Sequence, residues 1–406
     1  MNRALHRDYL RELVQDCIGC AACQNVCARD AIRLEDDADG FLKPLIDEES
    51  CVGCRACERI CPIGKQKSAP CRSGEKTPQP SFYFGWHRDE RLRYQSSSGG
   101  FVTALAQYVL ERGGCVFGVV TEGCRHPRFA MAESLEELAP MRGSKYVQAR
   151  ADGVYRDVRA QLKTGRLVLF SGTPCQVGAL YQLLRSRPHN LLSMDIVCHG
   201  VPSFHLFRRY LEHIRRAEHV DAEPESVFFR DKRRGWLHYR FGMRLKWTNG
   251  HEYYGENGKD VFLRGFLGDD ILNRGCYSCR YVGFENRWAD FTAADAWEAW
   301  TYYEEEPLRA GVSAVVLHTE RARCVMPQSA CFHSFAVPAS QVLRHNPALI
   351  ANRPFPAHHR YALRVIRSHS LAVYLRRMSS LKRWYRLMGR LRRLPLRLLR
   401  WVIAWR

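Results

Sequence analysis

The chain has 406 residues, 46% of them hydrophobic, and a formal net charge of +20. This length fits two or three domains and this composition supplies an ample core, which excludes a disordered or fibrous protein. The charge would suit a nucleic-acid binder if it were spread out, but no acid follows Glu320, and the 18 Arg and Lys from Arg321 onward leave only +2 before them. The basic element is therefore a tail on a near-neutral body, and nucleic acid is not the expected partner.

In chain order, Met1 to Asp16 is studded with charge and is not expected to act as a secretory signal. Cys17, Cys20, Cys23 and Cys27 are then answered by Cys51, Cys54, Cys57 and Cys61, both quartets in the spacing C-x2-C-x2-C-x3-C. Three thiolates of one short loop can grip three irons of a cubane, while the fourth, further along, reaches the other cluster. The expected ligand sets are crossed: Cys17, Cys20, Cys23 and Cys61 for one 4Fe-4S cluster, and Cys51, Cys54, Cys57 and Cys27 for the second. Pro62 follows the second quartet and Ala28 the first. A zinc ribbon or a disulfide framework would have to explain this spacing twice over. Residues 1–67 thus read as a ferredoxin-like domain with almost no apolar core, held together by its clusters. Thiols kept free for iron imply a reducing, cytoplasmic setting. No run of about eighteen apolar residues suggests a membrane span.

Residues 68–80, with Pro70, Gly74, Pro78 and Pro80, read as a linker. Ser81 to Trp86 is an aromatic strand, and a polar turn containing Ser97, Ser98, Gly99 and Gly100 leads into a helix striped by Phe101, Leu105 and Val109. An uncapped helix start offers free N–H groups and partial positive charge suited to a phosphate, although a plain serine cap would produce the same letters. Cys115 to Thr121, Leu167 to Phe170 and Leu191 to Val197 read as buried strands. Asp152 to Lys163 and Pro202 to Arg216 read as amphipathic helices between them, the pattern of an α/β sheet. Trp236 to Trp247 alternates like a half-exposed strand, with Asn249-Gly250 turning it into a hairpin. Val261 to Leu272 is an expected helix and Val312 to His318 a late strand.

A second set of thiols, Cys175, Cys198, Cys276 and Cys279, is expected on loops at strand ends. Thr173 and Pro174 start a helix whose first turn holds Cys175, where the helix dipole favours a thiolate. Four soft ligands on one sheet edge suit a third 4Fe-4S cluster, with zinc or a redox dithiol as alternatives.

These residues bring out a resemblance that covers nearly the full length. Ser97-Ser98-Gly99-Gly100, Gly143-Ser144-Lys145-Tyr146-Val147-Gln148, Ser171-Gly172-Thr173-Pro174-Cys175-Gln176, Cys198-His199-Gly200-Val201-Pro202-Ser203, Phe229-Arg230-Asp231-Lys232, Cys276-x-x-Cys279-x-Tyr281 and Asp295-Ala296-Trp297 stand in matching order. In them the chain resembles the coenzyme F-420 hydrogenase/dehydrogenase beta-subunit family of iron-sulfur flavoproteins. The resemblance implies FAD, with Ser97, Ser98, Gly99 and Gly100 at its phosphates and Lys145 at a phosphate or at the flavin N1/C2 edge. It also strengthens the third cluster. It departs at Thr292-Ala293-Ala294-Asp295, where the family more often has a glycine before the aspartate.

The fold expected is thus α+β and α/β: a bacterial-ferredoxin-like dicluster domain, then a mixed-sheet α/β flavin-binding domain in two parts (81–165 and 166–340), then a basic helical tail (341–406). The function expected is an oxidoreductase that takes electrons from ferredoxin or another one-electron donor, through clusters and FAD, to an organic two-electron acceptor. The resemblance points to polysaccharide biosynthesis as a setting. The alternatives are a relay subunit without its own substrate and a deazaflavin-linked dehydrogenase or hydrogenase subunit. In the tail, Leu381, Trp384, Leu387, Leu391 and Leu394 would form the apolar face of an arginine-rich helix. That helix would either lie on the anionic inner face of a membrane or dock on the body.

Overall fold

The computed structural model describes residues 14–64, 79–304 and 308–369, and 371, 373, 374, 377, 378 and 380 beyond them. Cys71, most of the expected linker and the apolar stripe from Leu381 onward lie outside the described residues. No helix among those described is long and apolar enough to cross a membrane.

The duplicated cysteine spacing folds into a duplicated backbone. Gly19 and Gly53 take φ 64° and 68°. The residue after each second cysteine, Ala21 and Arg55, is left-handed at φ 60°, and each opens a five-residue helix, Ala22–Val26 and Ala56–Ile60. Between the two turns, strands β1 (Ile32–Asp36) and β2 (Leu42–Ile46) pair antiparallel.

The remaining strands are β3 (Ser81–His87), β4 (Cys115–Val120), β5 (Arg128–Ala132), β6 (Val168–Gly172), β7 (Leu191–Ile196), β8 (Pro224–Asp231), β9 (Gly242–Trp247), β10 (Glu252–Glu256), β11 (Phe291–Asp295), β12 (Ser313–Leu317) and β13 (Phe332–Ala336). Eight of them make one sheet in the order β13-β3-β12-β11-β7-β6-β4-β5. Its middle, β4, β6, β7 and β11, is parallel, and both flanks are antiparallel. Alternate side chains divide the core in two. Cys115, Phe117, Val168 and Phe170 face the helices Val154–Lys163 and Pro174–Leu184. Val116, Leu169, Leu192 and Met194 face the helix Phe101–Leu110. Strands β8 to β10 form a separate antiparallel sheet on the helix Phe204–Ala217.

Two expectations are corrected. The ferredoxin-like segment does have an apolar core, but a shared one: Leu34, Leu42 and Ile60 are buried in the same cluster as Tyr155, Val177 and Leu180 of the body. Such a core is invisible when the segment is read alone. Residues 236–241 are not strand. Leu237–Tyr239 is a 3-10 turn in which His238 and Tyr239 both take φ above +50°. Trp236 stacks on Trp297 at 4.8 Å and Tyr239 lies over the same ring at 4.3 Å. Stacking on a distant residue produced the alternation that resembled a strand.

Candidate functional site

Ligand sites in open α/β sheets lie beyond the carboxyl ends of parallel strands, where loops diverge and helix N-termini begin. Here β6, β7 and β11 end on one cavity of about 600 Å³. After β6, Thr173 caps the helix Pro174–Leu184, its own N–H bonding Gln176 Oε1 at 2.9 Å, and Cys175 falls in the first turn. Cys198 follows β7 by two residues. Cys276 lies in the 3-10 turn Arg274–Ser278, not on a loop, and Cys279 at its end, while Cys175 stands in the first turn of its helix as expected.

The four thiols line the same cavity together with Cys20 of the first quartet. Cys279 and Cys198 both act on Cys175, and Cys198, Cys175 and Cys279 all act on Cys276. Burial pushes the Cys175 thiol up to about 12 and Cys198 to about 11. The helix dipole expected to favour a Cys175 thiolate is outweighed by burial and by the neighbouring thiols. Among the described residues, no group of three His, Cys, Asp or Glu side chains closes around a single ion.

The first constellation is tied to this wall. Tyr155 Oη donates to the Cys20 carbonyl at 2.7 Å, and Arg156 donates to Asn25 O, Gln24 O and Cys27 O at 2.7, 2.8 and 2.9 Å. Gln148 accepts from Leu42 N at 2.9 Å and donates to Ile18 O at 3.2 Å. Arg280 donates to Pro62 O. Cys61 acts on both Cys20 and Cys23, Cys17 acts on Cys61, and Cys57 of the second quartet also acts on Cys23. Cys20 is also acted on by Cys175. Cys54 and Val52, by contrast, are exposed.

The serine turn lines the same cavity. Gly100, at φ 89°, precedes the helix Phe101–Leu110, and no side chain caps it. The plain serine cap is therefore absent, and the first-turn N–H groups are not covered by a capping side chain. Ser97 and Ser144 hydroxyls meet at 2.7 Å, while Ser98 Oγ donates to Val312 O. Lys145 Nζ lies 2.8–3.2 Å from the carbonyls of Pro140, Met141, Arg142 and Gly143, which share its N–H donors, and burial pulls its ammonium down to about 7.

Gly99 has a different reason to be glycine from the phosphate approach expected. A Cβ there would stand 2.4 Å from both Gly85 O and Ser313 N, so the turn packs directly on β3 and the start of β12. Gly99→Ala is expected to cost about 2 kcal/mol or more by overpacking against backbone, read as a lower thermal midpoint. An unchanged midpoint would remove this constraint.

The motifs quoted above contain residues whose roles only three dimensions reveal. Lys232 Nζ donates to Arg93 O, Ser98 O and Ala310 O, holding the serine turn from behind. Arg230 pairs with Asp295 at 2.7 Å, and Trp236 Nε1 reaches the same carboxylate at 3.3 Å. His199 is held by Phe266 O and Asp269, both at 3.0 Å. Six basic side chains, Arg142, Lys145, Arg230, Arg280, Arg287 and Arg353, line the cavity, of which Arg230, Arg287 and Arg353 are paired with Asp295, Asp195 and Asp269. Only charges summed over distant segments reveal this.

Three comparisons bear on the chain. Residues 16–65 match the 4Fe-4S dicluster domain, residues 82–154 the N-terminal part of the coenzyme F420 hydrogenase/dehydrogenase beta subunit, and residues 165–330 its C-terminal part. No curated protein matches significantly. Among solved structures, a chain of the xenon-derivatised F420-reducing nickel-iron hydrogenase complex from Methanosarcina barkeri aligns at 17% identity and TM-score 0.46, over 66% of this chain and 88% of that one. With two successive parts of one family matched across its body and a dicluster domain before them, the chain belongs to the coenzyme F420 hydrogenase/dehydrogenase beta-subunit family and is an iron-sulfur electron-transfer protein.

Proposed function

We propose that this protein is a flavin-dependent oxidoreductase, carrying electrons from a ferredoxin or another one-electron donor to an organic two-electron acceptor in the cytoplasm. The observation that carries the reading is that one cavity, lined by six basic side chains, brings together four half-buried thiols and an uncapped serine and glycine helix start. The donor sets fit the groups. Soft thiolates suit iron-sulfur clusters, and free N–H groups beside hydroxyls and a lysine suit a pyrophosphate.

In this reading residues 14–64 hold two clusters on crossed quartets, and Cys175, Cys198, Cys276 and Cys279 hold a third. Exposed Cys54 marks the side where a donor reaches the chain, and the approach of Cys20 to Cys175 marks the step inward. Ser97, Ser98, Gly100 and Ser144, which line the cavity, hold the FAD phosphates, with Gly99 packing the turn from behind, while Lys145 lends positive charge to a phosphate or to the flavin N1/C2 edge. When bound, a flavin supplies the exchange between one-electron and two-electron chemistry. Tyr146, Arg230 and Asp295 line the same cavity.

Anaerobically purified protein is expected to carry FAD. Lys145→Met should weaken it roughly tenfold, about 1.4 kcal/mol, while Lys145→Arg should retain most of the affinity. Equal affinity in all three proteins would discard the lysine's role. A wild type without flavin would favour the second reading, a relay subunit serving a separate enzyme.

A further inference from the structure

Behind the second cysteine constellation lies a buried ion pair that the electron path above does not use. Arg287 is 1% exposed and Asp195 0%. Arg287 Nη1 reaches Asp195 Oδ1 at 3.1 Å and Ile196 O at 3.2 Å, and Nη2 reaches Ala348 O at 3.4 Å. Thr292 Oγ1 donates to the same Oδ1 at 2.6 Å and meets His318 Nε2 at 2.8 Å. Asp195 Oδ2 has no hydrogen-bond partner. A buried pair of this kind returns little stability, because taking both charges out of water costs about as much as their attraction returns. Its effect on its neighbours is larger. Arg287 lines the cavity with Cys198 and Cys279, and its bond to Ile196 O places the guanidinium two residues along the chain from Cys198, with Asp195 one residue further back.

One electron added to a four-thiolate 4Fe-4S cluster adds one unit of negative charge, so a nearby cation stabilises the reduced form more than the oxidised. The stabilisation is large where water is excluded and small where solvent screens it. The cations beside the ferredoxin pair are less enclosed: exposed Arg280 donates to Pro62 O next to Cys61, and half-buried Lys43 donates to Cys17 O at 2.8 Å, whereas Arg287 is buried.

We propose that Arg287, locked in place by Asp195 and two backbone carbonyls, is a positioning residue that holds the cluster on Cys175, Cys198, Cys276 and Cys279 at a higher reduction potential than the two ferredoxin clusters. An electron delivered near Cys54 then runs inward toward the cavity. The proposal rests on the third-cluster reading. Arginine suits the role because it stays charged at every working pH.

The test is a mediated redox titration of the full chain, purified without oxygen and followed by electron paramagnetic resonance, with iron counted in each sample. Arg287→Gln should move one cluster's midpoint to more negative potential, Asp195→Asn should move the same midpoint to more positive potential, and Arg287→Lys should stay near the wild type. The other two midpoints serve as internal references. A pair with only a structural role would shift both neutralising variants the same way or neither, and that outcome with iron retained overturns the proposal. If the variants lose iron, the wild type decides: the signal that Cys279→Ala removes must have the highest midpoint of the three, and any other order overturns it. A wild type with about eight irons instead of about twelve overturns the third-cluster reading itself, and this proposal with it.

Discussion

Cys279→Ala and Cys175→Ala are each expected to remove about four of roughly twelve irons per chain and leave the other eight in place. The two residues belong to different segments, one in the first turn of the helix Pro174–Leu184 and one at the end of a 3-10 turn about a hundred residues later. Loss of the same irons from both variants would therefore show that the thiols share one group. Cys61→Ala should behave differently. Its thiol acts on Cys20 and Cys23, so its loss should strip the cluster held by the first quartet, although Cys61 lies in the second. That cluster stands between the exposed Cys54 side and Cys175. Cys61→Ala should then slow reduction of the inner group by an external donor while dithionite still reduces the outer one. Unchanged iron in the Cys175 and Cys279 variants would return those thiols to packing or redox roles, and stoichiometric zinc in place of iron would remove the clusters altogether.

The features legible in advance share one property: their physical cause is local. The two quartets, Cys115–Val120, Leu191–Ile196 and the hairpin at Asn249-Gly250 are written in contiguous residues, and all of them stand. Strand β11, Phe-Thr-Ala-Ala-Asp, was missed because its small residues form a strand only between β7 and β12. Strands β5 and β13 are edge strands of five residues, each defined by pairing with a single partner strand rather than by a local pattern. Residues 236–241 depart from the expected strand because three aromatic rings, Trp236, Tyr239 and Phe241, meet Trp297, some sixty residues away, and not a neighbouring strand. The candidate site divides in the same way. The serine turn and the thiols could be named from motifs, whereas the lysine behind the turn, the Arg287 and Asp195 pair and the basic lining of the cavity exist only once the chain has folded. Gly99 belongs to both groups: its identity was noticed, and its cause, two strands at its back, was not.

Lys232→Met should unlock the serine turn and release FAD while leaving the ferredoxin clusters filled. Lys232 is 3% exposed, and its Nζ lies within hydrogen-bond distance of three carbonyls, Arg93 O at 3.0 Å, Ser98 O at 2.7 Å and Ala310 O at 2.6 Å, with three N–H donors as an ammonium and two once the proton is lost. Methionine fills nearly the same space but leaves those carbonyls without a donor, at a cost of about 3 kcal/mol or more. A typical domain has only about 5–15 kcal/mol in hand, so a lower thermal midpoint should be plain. Burial also drives the Lys232 ammonium well below its ordinary value. Between that folded value and the unfolded value of about 10.4, the folded chain binds fewer protons than the unfolded one. The stability contributed by this lysine therefore rises as pH rises through that window, and the wild type should show a steeper rise than Lys232→Met. Residues 14–64 share no hydrogen bond with Lys232, so about eight irons should survive in the folded variant. Retention of FAD at wild-type affinity, with the midpoint lowered, would separate the serine turn from the flavin and move the phosphate site elsewhere along the cavity wall.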